Sequence, residues 1–277
     1  MRLHVFGVRG STPAPGPEFV RYGGHTSCVA LAHDGMAPSL VLDAGTGIRR
    51  LTGVLGGLPF RGTILLGHLH WDHTRGLPFF AAGDHPDARV HLYLPEQGDA
   101  VEILSRAMSP PHFPISPQEL RGDWSFDGLC PGQHELEGFT VLALDIPHKG
   151  GRTFGFRVSD GAASVAYLSD HSPVTLGPGA EGLGEYHQAA MALAQGVDLL
   201  VHDAQHTAEE FEAKRSFGHS AVEYAVGLAR EAGARRLLLF HHDPPRTDDA
   251  LDAIVASHQD GPVPVEAAVE ETTVELP

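Results

Sequence analysis

The most informative segment of this chain is His68-Leu69-His70-Trp71-Asp72-His73, which directly follows the apolar run Thr63-Ile64-Leu65-Leu66-Gly67. Three imidazoles and a carboxylate within six residues are more ligands than one tetrahedral metal ion takes from a single turn. His68 and His70 can point to the same side of an extended segment, whereas Asp72 and His73 follow the turn and can serve a second ion. The pattern predicts two ions about 3.5–4 Å apart that share a bridging hydroxide, and the alternative is a histidine-rich surface loop.

The composition limits the kinds of protein that this chain can be. Its 277 residues carry 19 Lys and Arg against 35 Asp and Glu, and the formal charge of −16 argues against a broad electrostatic footprint on nucleic acid. No apolar run approaches the ~20 residues that cross a bilayer, and the amino terminus lacks a signal-peptide pattern. The two cysteines, Cys28 and Cys130, suit a reducing compartment. The sequence therefore predicts a cytoplasmic globular protein with no membrane contact and no stable nucleic-acid complex.

Short apolar runs separated by Gly, Pro and Asp predict a chain rich in strands, with helices between them. The predicted strands are Leu3–Val8, Cys28–Ala32, Leu40–Asp43, Thr63–Leu66, Val90–Leu94, Phe139–Leu144, Thr153–Val158, Ser164–Leu168, Val197–Val201 and Arg236–Phe240. The predicted helices are Gly47–Leu55, Glu96–Met108, Leu183–Gln195, Ala221–Ala232 and Asp248–Gln259. No linker-like stretch interrupts them, which predicts one α/β domain over residues 1–277.

Two of these helices have recognisable amino-terminal signals. The segment Ser220-Ala221-Val222-Glu223 fits a capping box, which predicts that a helix begins just after His219. Thr247 is the predicted cap of the last helix, whose first turn is acidic. The acidic end of the chain, from Val265, is either a last strand or a tail.

Five further segments, in chain order, resemble motifs of the metallo-β-lactamase superfamily. They are Val8-Arg9-Gly10-Ser11-Thr12-Pro13, Leu40-Val41-Leu42-Asp43-Ala44-Gly45-Thr46-Gly47, Ile146-Pro147-His148, Ala166-Tyr167-Leu168-Ser169-Asp170 and Leu238-Leu239-Phe240-His241. The resemblance covers nearly the whole chain. It implies a four-layer αββα sandwich in a single domain.

The same resemblance implies a complete set of ligands for two divalent ions. It places His68, His70 and His148 on one ion, Asp72, His73 and His241 on the other, and Asp170 between the two. Imidazole together with carboxylate oxygen suits zinc and also admits manganese. His242 competes with its neighbour for the last position, and His241 is favoured because it directly follows an apolar run.

The region between Asp170 and His241 resembles the ribonuclease Z-like phosphodiesterases, through Val201-His202-Asp203-Ala204-Gln205 and Gly218-His219-Ser220. By that match Asp203 orients His219 beside the scissile phosphate. His219 also precedes a predicted helix amino terminus, where free N–H groups favour an anion. The alternative is that His219 belongs only to the helix cap.

The resemblance departs from ribonuclease Z where that enzyme carries an arm for transfer RNA. Only 22 residues separate His148 from Asp170, and a predicted hairpin occupies most of them. The expected substrate is therefore a small phosphodiester, and the resemblance points to a cyclic nucleotide. The implied reaction is in-line attack by the bridging hydroxide, with the metals and hydroxide positioned by Asp72 and Asp170 and the leaving group served by His219.

Several alternatives stay open at this level. One is a lactone or thioester hydrolase of the same fold, and another is an RNA-processing phosphodiesterase. Two more distant ones are a metal-retaining module without turnover and a metalloprotein with redox chemistry. A homodimer is an expectation from the resemblance alone.

The sequence also offers residues for secondary roles. Arg9, Arg21 and Arg152 are candidates for phosphate binding, although a structural role is expected of each taken singly. Phe113 and Tyr22 are candidates for stacking on a base, with core packing as the alternative. His171, His202 and His206 lie near the motifs and are candidate partners of the metal ligands.

Overall fold

The computed structural model describes residues 1–277, which form two β-sheets of seven strands each. The strands are β1 (Arg2–Gly7), β2 (Cys28–Ala32), β3 (Leu40–Leu42), β4 (Arg61–Leu65), β5 (Arg89–Pro95), β6 (Asp123–Leu129), β7 (Gly132–Leu136), β8 (Phe139–Asp145), β9 (Phe154–Ser159), β10 (Ser164–Leu168), β11 (Leu199–Asp203), β12 (Leu237–Phe240), β13 (Val265–Ala267) and β14 (Thr273–Glu275). The first sheet has the order β14-β1-β2-β3-β4-β5-β6, and the second has the order β13-β12-β11-β10-β9-β8-β7.

Seven α-helices accompany the two sheets: α1 (Leu51–Val54), α2 (Trp71–Thr74), α3 (Ala100–Ser105), α4 (Gln188–Ala194), α5 (Ala208–Lys214), α6 (Val222–Ala232) and α7 (Asp248–Ser257). Apolar residues of α1 and α3 pack on the outer face of the first sheet, and those of α4, α6 and α7 pack on the outer face of the second. The inner faces of the two sheets pack on each other. This order of layers confirms the predicted four-layer αββα sandwich.

The alternation of side chains along each strand explains how one sheet serves two cores. In β1, Leu3 and Val5 belong to the core between the sheets, whereas Phe6 belongs to the core beneath the helices. Successive side chains of a strand point to opposite faces, so a strand covered on both sides needs apolar residues at consecutive positions. The continuous apolar runs that predicted these strands are therefore a consequence of burial on both faces.

Strand direction brings the ends of several segments to one edge of the sandwich. Strands β10, β11, β12 and β13 are parallel to one another, as are β3, β4, β5 and β6. The carboxyl ends of parallel strands meet at the same edge of a sheet, where loops carry functional groups. Asp170, Asp203 and His241 lie at the ends of β10, β11 and β12, and the histidine-rich segment follows β4.

Four strands were not predicted as strands, and all four lie at a sheet edge. Most side chains of β6 and β7 are exposed or only half-buried, so these strands lack the apolar runs used for prediction. The carboxyl-terminal end is not a tail, because β13 pairs with β12 and β14 pairs with β1. The hairpin predicted from Thr153–Val158 and Ser164–Leu168 is confirmed as the antiparallel pair β9 and β10.

The three helices predicted in the first two-thirds of the chain are shorter in the structure. Gly47–Leu55 divides into a 3-10 turn over Thr46–Arg50 and the single turn α1, while only α3 forms within Glu96–Met108 and only α4 within Leu183–Gln195. The predicted Thr247 cap is confirmed, since its side chain accepts a hydrogen bond from the Ala250 backbone N–H. None of the helices combines the length and apolarity required to cross a bilayer.

Candidate dinuclear metal centre

The histidine-rich segment, His68 to His73, changes direction between its second and third candidate ligands, His70 and Asp72. His68 and His70 lie in extended chain beyond the end of β4, and His70 is the amino-terminal cap of the one-turn helix α2. Asp72 and His73 belong to α2, so they leave the direction set by the preceding strand. His68, Asp72 and His73 are buried. The segment therefore presents ligands to two neighbouring positions, as its sequence predicted.

The first position is surrounded by His68, His70, His148 and Asp170. His148 Nε2 lies 3.3 Å from His70 Nδ1 and 3.5 Å from Asp170 Oδ1. His68 Nε2 lies 3.7 Å from the same carboxylate oxygen. With metal–ligand bonds of ~2.0–2.1 Å, the ligand atoms of a tetrahedral ion lie about 3.3 Å apart. The spacing of this group therefore fits one divalent ion.

The second position is surrounded by Asp72, His73, His241 and, again, Asp170. His73 Nε2 lies 3.0 Å from Asp170 Oδ2 and 3.3 Å from Asp72 Oδ2. His241 Nε2 lies 3.1 Å from Asp72 Oδ2 and 3.4 Å from Asp170 Oδ2. Because Asp170 turns Oδ1 to the first group and Oδ2 to the second, a single carboxylate joins the two positions.

The ligand atoms at the second position fit a bound cation. His73 Nδ1 lies 2.8 Å from Asp43 Oδ2 and donates a hydrogen bond to it. In the neutral ring, Nε2 then carries a lone pair and no proton. That lone pair faces the oxygens of Asp72 and Asp170, and neither oxygen of Asp170 has a hydrogen-bond donor. Buried acceptors that face one another are unfavourable unless a metal ion or an additional proton lies between them. The side chains present therefore fit a pair of divalent ions bound through nitrogen and oxygen.

The same carboxylates govern the pKa values of the buried imidazoles. Burial by itself lowers the pKa of His241. The carboxylates of Asp170, Asp72 and Asp203 outweigh burial and raise this pKa to about 9. Burial likewise opposes the charge on His73, yet Asp170, Asp72 and Asp43 hold its pKa well above the ordinary value. His68 has fewer carboxylate neighbours, and burial lowers its pKa. Without metal, the second position therefore holds protons at neutral pH.

Contacts behind the ligands fix their orientation. His148 Nδ1 donates to the backbone oxygen of Gly218 over 2.7 Å, so its Nε2 faces the first position. The backbone N–H of Ser11 donates to Asp72 Oδ2 over 2.6 Å. Gly10 packs against the His241 ring, where a Cβ atom would come within 2.4 Å of Nδ1. These contacts explain why the glycine-containing first loop lies at the site.

Asp203 and His219 lie beside the second position. His219 Nδ1 lies 3.0 Å from Asp203 Oδ2 and 3.7 Å from Asp170 Oδ1. Asp203 is fully buried, and its carboxylate also accepts the backbone N–H groups of His171 and Gln205. This network holds His219 with a proton on Nδ1, and its Nε2 is left for other partners.

The capping box predicted around Ser220 is wrong. The helix α6 begins at Val222, its cap position is Ala221, and no side chain caps it. The backbone N–H of Ser220 donates to Asp203, the N–H of Val222 donates to the His206 carbonyl, and Glu223 accepts from the Ala208 N–H. Because the helix entrance is bonded in this way, the orientation of His219 depends on Asp203 and not on a free helix amino terminus.

An open cavity of about 510 Å³ lies over the two metal positions. Ligand and catalytic candidates line one part of it, and Leu69, Trp71, Lys149 and Phe217 line another. Trp71 and Phe217 are 64% and 61% exposed, which is unusual for aromatic side chains of this size. Sequence analysis did not assign a role to these two or to Lys149, although all three adjoin motif residues.

The arginine and aromatic residues considered for substrate binding are engaged elsewhere. Buried Arg9 donates to the carbonyls of Gly23 and Arg246, exposed Arg21 pairs with Asp249 and Asp252, and Arg152 pairs with Asp145. Tyr22 donates to Asp252, and Phe113 lines a separate small cavity near α3. His242 donates to the Ala268 carbonyl and faces away from the metal ligands, whereas His241 lies among them.

A further group of ligand-type side chains consists of His206, Glu210 and Asp243. Lys214 Nζ lies 2.7 Å from Asp243 Oδ2, and Arg246 Nη2 lies 2.5 Å from Glu210 Oε2. The two carboxylates are therefore balanced by cations of the chain itself. We assign no metal to this group.

Comparison with known proteins agrees with this description. Residues 40–242 match the β-lactamase superfamily domain. Ribonuclease BN of Salmonella gallinarum is 28% identical over 232 residues, which cover 70% of this chain and 74% of that protein.

Solved structures show the same fold. The metallo-β-lactamase fold protein YhfI from Bacillus subtilis superposes with a TM-score of 0.72 at 20% identity, covering 99% of this chain and 98% of that one. A diphosphatase from the PhnP family gives a TM-score of 0.72 at 19% identity over 100% and 98% of the two chains. The short form of human tRNase Z gives 0.70 at 20% identity over the full length of both.

Proposed function

Since this chain belongs to the metallo-β-lactamase superfamily and has the fold of its hydrolases, we propose that it is a dinuclear metal-dependent phosphodiesterase that acts on a small cyclic nucleotide. His68, His70, His148 and Asp170 would hold one divalent ion, and Asp72, His73, His241 and Asp170 the other. When bound, the ions supply a water of lowered pKa and neutralise charge on the phosphoryl oxygens. Zinc is the expected metal, and manganese is the alternative.

The Asp203–His219 pair is the observation that carries the phosphodiester assignment. Cleavage of a phosphodiester leaves an alkoxide that must receive a proton, and a histidine protonated on both ring nitrogens, with its Nδ1–H held by a carboxylate, can deliver the proton from Nε2. His219 lines the cavity, while Asp203 accepts a hydrogen bond from its Nδ1–H and stabilises the charged form of the ring. Hydrolysis of a thioester by the same metals does not require this second pair, because its leaving group is a thiolate that needs no proton.

Three residues of the cavity support a nucleotide as the substrate. Trp71 and Phe217 present exposed aromatic surface on which a base can stack, and Lys149 adds a positive charge near the metal positions. A cavity of about 510 Å³ lies within the range of small-molecule sites. This combination favours a ligand with one anionic part and one flat aromatic part.

The remaining roles follow from position. Asp72 and Asp170 orient the metals and the attacking water, and the Ser11 N–H fixes Asp72 from behind. The catalytic residues of the proposal are thus Asp72 and His219, and Asp203 positions the latter. A homodimer that binds small diesters and forms no stable complex with nucleic acid is part of the same proposal.

Processing of RNA is the second candidate, favoured by the similarity to ribonuclease BN. The strands β9 and β10 occupy most of the chain between His148 and Asp170, and no arm extends from this region. A net charge of −16 also opposes binding of a long polyanion. We therefore rank this function below hydrolysis of a small substrate.

The deciding experiment is hydrolysis of 3′,5′-cyclic AMP by protein loaded with zinc or manganese, with Asp72→Ala as the inactive control and His134→Ala as the matched active control. His134 lies on β7, at the far edge of the second sheet. We expect turnover that disappears only in Asp72→Ala. Absence of turnover in protein shown to hold two metals would reject the cyclic mononucleotide, and cyclic dinucleotides, short RNA and lactones would then be tested in that order.

A further inference from the structure

Three histidines form a hydrogen-bonded row behind the Asp203–His219 pair. His187 Nε2 lies 2.6 Å from His171 Nε2, and His171 Nδ1 lies 3.0 Å from His202 Nε2. None of the three belongs to either metal group. His171 and His202 are completely buried, and His187 is half-buried at the start of α4. We refer to His187, His171 and His202 as the histidine row.

Both ends of the histidine row are bonded to backbone groups of fixed polarity. At one end the Ala190 N–H donates to His187 Nδ1, and at the other His202 Nδ1 lies 2.7 Å from the Asp203 carbonyl. An amide N–H only donates and a carbonyl only accepts, and a neutral imidazole has one donor and one acceptor. His202 therefore carries its proton on Nδ1, and its Nε2 must accept from His171.

The remaining directions follow from this assignment. His171 carries its proton on Nδ1 and accepts at Nε2 from the proton that His187 carries on Nε2. Every donor in the row thus points from α4 towards Asp203. Burial lowers the pKa of the two outer rings, His202 and His187, the latter to about 4, so both are neutral as the pattern requires. Tyr224 packs against His171 and His202, and its hydroxyl donates to the Glu185 carbonyl and not to the row.

Asp203 is held at two points by residues of the row. Its carbonyl accepts the His202 ring proton, and its carboxylate accepts the backbone N–H of His171 over 3.0 Å. His171 and His202 lie on neighbouring parallel strand ends, where Leu168 pairs with His202. The ring-to-ring hydrogen bond therefore ties the strand end that carries Asp170 to the strand end that carries Asp203.

We propose that His187, His171 and His202 are positioning residues, which hold Asp203 so that its carboxylate binds the Nδ1–H of His219 and directs Nε2, the nitrogen from which the proton is transferred, at the leaving group. The proposal rests on the role of His219 in the proposed function. His187 is the only member within reach of solvent, and with the Asp203 carbonyl at the other end it holds the polarity of the row. Its removal leaves His171 Nε2 without a donor, so that the His171 ring is held by its bond to His202 alone.

The kinetic test compares two diesters under identical metal loading. In 3′,5′-cyclic AMP the leaving group is an alkoxide that needs a proton, whereas in thymidine 5′-p-nitrophenyl phosphate it is a phenolate that does not. Since a positioned general acid contributes ~10²–10⁴-fold, we expect His187→Ala to lower kcat for cyclic AMP by about tenfold or more and kcat for the p-nitrophenyl ester by less than about twofold. Equal losses on both substrates would overturn the proposal.

His187→Asn separates this role from that of helix capping. Asparagine is a good amino-terminal cap and keeps an acceptor for the Ala190 N–H, but its shorter side chain does not reach His171. We expect His187→Asn to have a higher melting temperature than His187→Ala, because the helix cap is kept, but to show the same leaving-group-dependent loss. Recovery of wild-type kcat in His187→Asn would show that capping alone matters and would reject the row as a positioning device.

A readout without metal or substrate decides the question even if neither diester is cleaved. Long-range ¹H–¹⁵N spectra of the metal-free protein should show Nδ1–H tautomers for His171, His202 and His219 and an Nε2–H tautomer for His187. In His187→Ala the Nδ1–H proton of His219 should exchange faster with water. An Nε2–H tautomer at His171, or unchanged exchange at His219, would refute the inference.

Discussion

His73 and Asp43 form a buried pair in which His73 Nδ1 lies 2.8 Å from Asp43 Oδ2. Asp43 lies at the end of β3, and its carboxylate also accepts the Tyr167 hydroxyl, the Ser169 hydroxyl and the Gly67 N–H. Through Tyr167 and Ser169, the Asp43 carboxylate thus joins the first sheet to the second next to the metal positions. The bond from His73 to Asp43 adds the histidine-rich segment to this connection. It also determines which nitrogen of His73 is free to bind metal.

Asp43→Asn should weaken metal binding at the second position by about 10–100-fold, because partners of this kind orient the ligand and raise its basicity. Asp43 has a positive φ of 62°, a conformation that Asn also adopts readily, so the change leaves the backbone unstrained. Competition with a chromophoric chelator measures the affinity. Tyr167→Phe is the control variant, because it removes one hydrogen-bond donor to Asp43 without altering His73. A metal affinity of Asp43→Asn equal to that of the wild type would contradict the expectation.

Loading with zinc at pH 7 should release about two protons per protein, since His73 and His241 are protonated without metal and a bound imidazole is neutral. The carboxylates hold the pKa of His73 well above its ordinary value and that of His241 at about 9, despite burial. As the pH rises through 9, His241 loses its proton before metal binds, and the number released should fall. Titration calorimetry in buffers of different ionisation enthalpy counts the protons. His241→Ala should release about one proton fewer.

The sequence was sufficient for the interior strands and for bringing together the candidate metal ligands, for a common physical reason. Strands buried on both faces are continuous apolar runs, and ligands such as His148 and His241 lie at or just beyond the ends of such runs. The edge strands β6 and β7 face solvent and lack this pattern. The short helices α3 and α4 were predicted too long, because apolar spacing continues into irregular chain that packs equally well.

Contacts between distant residues left no signal in the sequence. The bond between His171 and His187 joins residues 16 positions apart, and the one between His73 and Asp43 joins residues 30 positions apart. Nothing in periodicity or composition relates such pairs. Phe217 and Trp71 likewise become part of one cavity only when the sheets pack, so their exposure was not foreseeable.

His219→Ala should lower kcat for 3′,5′-cyclic AMP by about 10²–10⁴-fold while both metals remain bound, because the proton donor is lost and no metal ligand is changed. Asp203→Asn should cause a smaller loss, since His219 keeps its place but not a fixed tautomer. Steady-state kinetics together with metal analysis tests both variants. Full activity of His219→Ala toward cyclic AMP would refute its role as the proton donor.

Phe217→Ala and Trp71→Ala should each raise KM for cyclic AMP by about fivefold or more, because stacking of a base on an aromatic ring contributes ~1–3 kcal/mol. kcat should change little, since neither side chain is among the candidate metal ligands or the catalytic residues of the proposal. A cyclic diester without a base, such as cyclic propanediol phosphate, is the matched substrate, and its KM should not respond. Phe79→Ala is the matched variant, because Phe79 is equally exposed but lines another cavity.

Glu270→Gln should abolish a pH dependence of stability between about pH 4.5 and 7. Burial raises the pKa of Glu270 from 4.5 to about 7, even though the His25 N–H bonds its charged form. The folded state therefore binds this proton more tightly than the unfolded state, and the associated stability is complete below pH 4.5 and is lost as the pH rises through 7. Glutamine keeps an acceptor for His25 and carries no charge, so the variant should be more stable than the wild type at pH 8, by about 1–3 kcal/mol.

Urea unfolding at pH 5 and pH 8 measures the difference in the free energy of unfolding. The exposed neighbour Glu271, changed to Gln, should leave the pH dependence as it is, and a wild-type slope in Glu270→Gln would contradict the assignment.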